Sequence, residues 1–215
     1  MNFGSAFAFQ FKQADWITKI FLASLVSLIP IIGLYFLAGW TLDIAARVIK
    51  GDTTLLPELD FSVNLKRGFK AFVIATVHLL PNLIFLTPLL VIALLAQNTS
   101  SPNSVSSAMV ISSLCFTLLM IVYNLVVIFI LPAALGNFLL KGEKIGAGLH
   151  TRETFVLIRQ APGAYWMVFL GSILSGMIIA PLGGIICGVG ALVTTVYAQS
   201  IYGSLLGQAY KQANP

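Results

Sequence analysis

Long apolar runs alternate with short polar stretches along the whole chain, over residues 16–49, 70–96, 107–131 and 164–210. They are apolar on every face, whereas barrel strands alternate apolar and polar positions, so helices are predicted. A transmembrane helix needs about 20 residues, which makes the first and last runs too long for one span each. Pro30 with Gly33 breaks the first, and Ala180-Pro181-Leu182-Gly183-Gly184 breaks the last. The first run admits two readings: one kinked helix that leaves the membrane, or a tight hairpin of spans 16–29 and 31–49. The last run gives spans 164–180 and 183–208. With 70–96 and 107–131 between them, the pattern predicts an all-α, polytopic six-helix transmembrane bundle in one membrane domain over residues 1–215. It contains two short Pro/Gly-turned helical hairpins. Pro81 and Pro88 are expected to bend the third span, and Pro132 to end the fourth.

The polar stretches fill in the map. Phe3, Phe7 and Phe11 fall four apart and predict an interfacial helix over 3–13. Asp15 then offers an N-cap, and Trp16 an interfacial anchor. Residues 50–69 and 132–163 read as cytoplasmic connections, with an interfacial patch at 61–65 and a short amphipathic helix at 151–160. Residues 97–106 are polar and uncharged, as an external loop should be; Asn98-Thr99-Ser100 matches a glycosylation acceptor, a pattern that chance often supplies. Both ends of the chain run aromatic start, short helix, Pro/Gly turn, longer helix, which is either a weak internal repeat or a coincidence of topology.

Charge decides between the two readings of the first run. Lys12 and Lys19 precede it; Arg47, Lys50, Lys66, Arg67 and Lys70 follow it. A single span would set five positive charges opposite the N-terminal pair, whereas a hairpin returns both groups to the cytoplasmic side, where basic residues collect. The six-span map puts all 12 Lys and Arg on that side, with both termini on the cytoplasmic face of the cell membrane. A first span of about 21 Å is the cost, and it demands local thinning or burial by neighbours.

Composition agrees with a membrane class. The chain is 58% hydrophobic and 9% charged, against about 25% charged in an ordinary soluble domain. The net charge of +5 follows from the positive-inside bias and predicts contact with anionic lipid headgroups. Nucleic acid is not an expected partner, because no basic helix face carries interleaved aromatics. Cys115 and Cys187 lie in apolar runs with no metal spacing and no disulfide framework. A removed signal peptide is not expected.

Candidate chemistry is sparse. No phosphate-binding loop, zinc-protease, nucleophile-elbow or Cys/His metal pattern occurs, so neither an enzyme nor a cofactor is expected. Asp43 and His78 are the ionisable groups inside spans, and such groups are functional candidates. Asp43 and Arg47 stand at i and i+4, as a paired charge near the interface or as a proton or ligand site. His78 and Asn82 flank Pro81 at the same spacing and either bond neighbouring helices or contact a substrate. With Asn124 and Gln199 they form a polar inner layer, read as a cytoplasm-facing vestibule or as interhelical hydrogen bonds. Gly171 with Ser175, Gly184 with Gly188 and Gly203 with Gly207 form small-residue faces for packing within the chain or between copies.

The order Asp15-Trp16, Ile29-Pro30-Ile31-Ile32-Gly33, Gly39-Trp40, Arg47-Val48-Ile49-Lys50-Gly51-Asp52, Leu56-Pro57-Glu58-Leu59-Asp60 and Gly68-Phe69-Lys70 resembles a bacterial and archaeal membrane family. That family is catalogued as domain of unknown function four-thousand-thirteen. The chain departs from it between Thr41 and Ala46, where Asp43 stands in place of basic residues. The resemblance implies topology and no reaction, ligand or catalytic residue. Three functional readings follow from the sequence. They are a non-enzymatic accessory or scaffold component contacting lipids and partner membrane subunits or further copies of itself, a small permease, channel or lipid-moving protein, and a membrane enzyme. The last has no supporting constellation.

Overall fold

The computed structural model describes residues 3–52, 56–97, 107–185 and 189–214. Among them the chain is helical, with no strand. The helices are α1 (Phe3–Ala8), α2 (Trp16–Ser27), α3 (Ile32–Lys50), α4 (Phe61–Leu79), α5 (Asn82–Gln97), α6 (Ser107–Leu140), α7 (Ile145–Leu149), α8 (Thr151–Gln160), α9 (Pro162–Ile173), α10 (Ala180–Leu182) and α11 (Val189–Ala213). A π-helical turn, Leu174–Ile179, joins α9 to α10. Three helical stretches are long and apolar enough to cross a membrane: Ile32–Lys50, Met109–Leu140 and Pro162–Leu182. The bent pair α4–α5 makes a fourth if taken as one span.

The break at Pro30 produces a hairpin. Ile31 takes a φ of 68°, and Gly33 lets the backbone turn close, since a Cβ there would stand 2.6 Å from the Cα of Ser27. Ile20 and Ala23 of α2 then pack with Phe36, Trp40 and Ile44 of α3. Lys19 and Arg47 line one hollow, so the two basic groups do share an end. With 12 residues, α2 is about 18 Å long, short of a full span. α11 has the length, but carries Thr194, Thr195, Gln199, Ser200, Ser204 and Gln208.

Several expectations are corrected. Pro132 does not end a span: α6 runs through it to Leu140. Proline costs the helix a hydrogen bond, and here tertiary packing outweighs that loss. Ala133, Ala134 and Phe138 are buried, Gly136 leaves room for the Tyr210 ring, and the Tyr210 hydroxyl donates to the carbonyls of Pro132 and Ala133. The connection expected at 50–69 is helical from Phe61, because Asp60 accepts a hydrogen bond from the Val63 N–H at 3.1 Å and caps α4. The bend expected at Pro81 is present, 58° between α4 and α5, while Pro88 sits inside α5. Pro181 lies within the continuous stretch Pro162–Leu182, so the last turn comes after it, where Gly183 meets the backbone of Gly190.

The N-terminal segment, expected as a helix over 3–13, is helical over Phe3–Ala8 and Gln10–Lys12 and packs on α11. Ala6, Phe9 and Gln10 are buried. Tyr197 donates to the Phe7 carbonyl at 2.7 Å, and Gln10 Nε2 donates to Ser200 Oγ at 2.7 Å. Asp15 makes no side-chain cap to α2 and instead pairs with Lys19 at 2.9 Å.

α3 is the centre of the bundle. A Cβ on Gly39 would stand 1.8 Å from the Asn64 carbonyl oxygen, and one on Gly68 1.7 Å from that of Tyr35. α3 and α4 therefore touch backbone to backbone. On its other side α3 lies parallel to α11, with Gly203 against Thr41 and Gly207 against Ala45 and Val48. The buried core occupies the charged end of the bundle. α5 and the first half of α6 pack on each other and leave Leu114, Leu118, Ile121, Val122 and Leu125 exposed.

Candidate functional site

Five charged residues gather into one chain of contacts. Asp43 on α3 meets Arg67 on α4 at 2.7 Å and Arg47 at 3.6 Å. The same Arg67 guanidinium meets Glu143, after α6, at 2.7 Å through Nε, and Lys70 reaches Glu143 at 3.9 Å. Arg67 is largely buried, and its fork holds two carboxylates that lie far apart in sequence. Paired and hydrogen-bonded charges of this kind fix helices against each other. Sequence reading singled out Asp43 and Arg47 but missed Arg67 and Glu143, because neither has a local partner that marks it.

A second ionic cluster secures the loop after α3. The buried Lys19 ammonium pairs with Asp15 and, at 3.0 Å, with Glu58, and donates to the Leu56 carbonyl at 3.2 Å. The bond from Lys19 holds the Asp15 carboxyl below its ordinary range. A third cluster joins α6 to α8: Glu153 accepts from Lys141 at 2.6 Å and from Asn137 at 2.7 Å, and those two bonds depress its carboxyl likewise.

The expected polar inner layer is spread over separate places. Asn82 and Asn124 clasp each other, each Nδ2 donating to the other's Oδ1 at 3.2 Å. Beside them, Tyr123 donates to the His78 carbonyl at 2.6 Å, and His78 Nδ1 lies 2.9 Å from the Ile74 carbonyl. Gln199 is elsewhere, accepting from Thr41 Oγ1 at 3.4 Å. It also lines a cavity of about 190 Å³ beside the π-helical turn, with Ser172, Ser175, Thr195 and Tyr202. Of the small-residue faces, Gly203 and Gly207 receive α3, Gly171 receives the Leu205 side chain and Ser175 is buried. A Cβ on Gly184 would meet nothing within 4 Å. Gly188, Cys187 and Asn98-Thr99-Ser100 lie outside the described residues. Among the described residues no group of His, Cys, Asp and Glu could hold a metal ion.

These features define a class: an all-α protein whose apolar helices are long enough to cross a membrane, stapled at one end by ion pairs. The chain belongs to the family described as Protein of unknown function (DUF4013), which matches residues 22–188. The match takes in both glycines of the α3–α4 crossing and all five members of the Asp43–Arg67–Glu143 network. Neither a curated protein nor a solved structure matches the chain.

Proposed function

We propose that the chain is a non-enzymatic scaffold or accessory component of the cell membrane, contacting lipids and partner membrane proteins. The observation that carries this reading is the use made of its polar groups. Asp43 and Glu143 both bind Arg67, and Asn82 and Asn124 bind each other. An ion-coupled carrier needs intramembrane charges that a substrate can reach, whereas these brace helices. The apolar α5–α6 arm supplies a broad surface for lipid or for another membrane helix.

In this reading both termini are cytoplasmic, and the six apolar segments pass in and out as hairpins, α2 dipping only part of the way. A photo-crosslinking residue at Leu118 or Leu125 tests the role. Discrete protein adducts in native membranes support a scaffold. Selective solute flux through the purified chain in vesicles overturns it.

A second reading, a small permease, is favoured by the Gln199 cavity. Ser, Thr, Tyr and amide groups line it beside a π-helical turn, a feature frequent at functional sites. Flux that Gln199→Leu abolishes without unfolding the chain would select it.

A further inference from the structure

Three segments remote in sequence close around a cavity of about 360 Å³ at the charged end of the bundle. The N-terminal segment contributes Phe9 and Lys12, the end of α3 contributes Val48 and Asp52, and α11 contributes Ser204 and Lys211. The placement of Lys12 is built into the fold, since Gln10 and Phe7 are hydrogen-bonded to α11 on the same segment. Neither Lys12 nor Lys211 has a carboxylate within 4 Å among the described residues, and of the Lys and Arg residues without such a pair these two line one cavity together.

Lys211 reaches the end of α3, its ammonium 3.5 Å from where a Cβ on Gly51 would stand. It is not needed to cap that helix. Gly51 is left-handed, its N–H donates to the Val48 carbonyl and the Asp52 N–H donates to the Arg47 carbonyl. That pattern closes a helix end from within. Two exposed ammonium groups thus line an open hollow with apolar walls at Phe9 and Val48, beside the exposed carboxylate of Asp52. Low-dielectric walls strengthen the field of such a pair.

We infer that this cavity binds a phosphate group between Lys12 and Lys211, carried by an anionic lipid headgroup or by a soluble phosphate compound. The inference rests on the lipid-contacting reading above and gives it an address. Phe9 and Val48 suit the acyl side of a lipid, Ser204 offers a hydroxyl, and Asp52 limits the charge that the site accepts.

The test uses the purified full chain and native mass spectrometry with phosphatidylglycerol and phosphatidylcholine. K12Q/K211Q is expected to retain phosphatidylglycerol about tenfold more weakly, while D52N retains it more strongly than wild type. A gain in D52N cannot come from misfolding. K144Q, at an exposed lysine outside this cavity, is the control and is expected to match wild type. Inorganic phosphate separates the two sources. If it raises the melting temperature of wild type but not of K12Q/K211Q, the site takes soluble phosphate. If only phosphatidylglycerol responds to the lysines, it takes a headgroup. Retention that is the same in K12Q/K211Q as in wild type, or that K144Q lowers equally, overturns the site. Solute flux would overturn the scaffold reading and leave the lysine dependence untouched, so the two can fail separately.

Discussion

Arg67 Nη1 stands 2.7 Å from Asp43 Oδ1, across the α3–α4 pair whose backbones touch at Gly39 and Gly68. Removing Arg67 leaves Asp43 and Glu143 facing each other's field without their shared cation. Arg67→Ala is expected to destabilise the chain by about 2 kcal/mol, between the limits for exposed and buried pairs. Asp43→Asn should cost less, because Arg67 keeps Glu143. Thermal unfolding in detergent reads both, and an Asp43→Asn variant weaker than Arg67→Ala would contradict the assignment.

The α3–α4 crossing has no flexible atom to yield. Gly39→Ala or Gly68→Ala places a methyl group within 2 Å of a backbone carbonyl oxygen. Each is expected to cost more than about 3 kcal/mol, beyond ordinary overpacking, and to abolish monodisperse protein on size exclusion. Gly146→Ala, where a Cβ meets nothing within 4 Å, is the tolerated control.

Gly203 and Gly207 receive α3 of the same chain, so replacing both with Leu should lower the yield of folded protein. A well-folded double variant with a smaller detergent-solubilised mass would instead assign the pair to an interface between copies.

The Asn82–Asn124 clasp predicts coupling. Asn82→Leu and Asn124→Leu should each cost about 0.6 kcal/mol, the average for interhelical hydrogen bonds in membranes. The double variant should cost little more than either alone, since one interaction is removed in all three. Strict additivity in a double-mutant cycle would count against the clasp.

Acid should loosen the α6–α8 contact. The Glu153 carboxyl is depressed by its bonds from Lys141 and Asn137, so its contribution is present above the ordinary carboxylate value. The contribution is lost as pH falls through the lower, folded value. Glu153→Gln should flatten this part of the acid dependence of melting, and an unaltered profile would remove Glu153 from it.

Topology has a direct check. A periplasm-active reporter inserted near Ser101 should work, and one near Gly148 should not. The reverse pattern would invert the membrane map.

What was legible in the sequence is what depends on short range. The hairpin at Pro30 followed from the distribution of Lys and Arg, and α8 follows from the periodicity of 151–160. The glycines at 39 and 68 entered the family resemblance without a physical reason; their reason is the crossing, which joins positions nearly thirty residues apart. Arg67 was unreadable for the same cause, since its partners sit at 43 and 143. Pro132 misled because a proline stops a helix only when nothing outside the helix compensates, and Tyr210 lies 78 positions away.

The unbroken α6 has a mechanical consequence. Its 34 residues form a rod about 51 Å long, against a hydrocarbon core of about 30 Å. In the membrane reading proposed above, a thinner bilayer that leans the exposed first half of this helix would swing its second half too, and that half carries Asn137 and leads into Glu143. Bilayer thickness would then act as leverage on the ion pairs that Arg67 makes with Asp43 and Glu143.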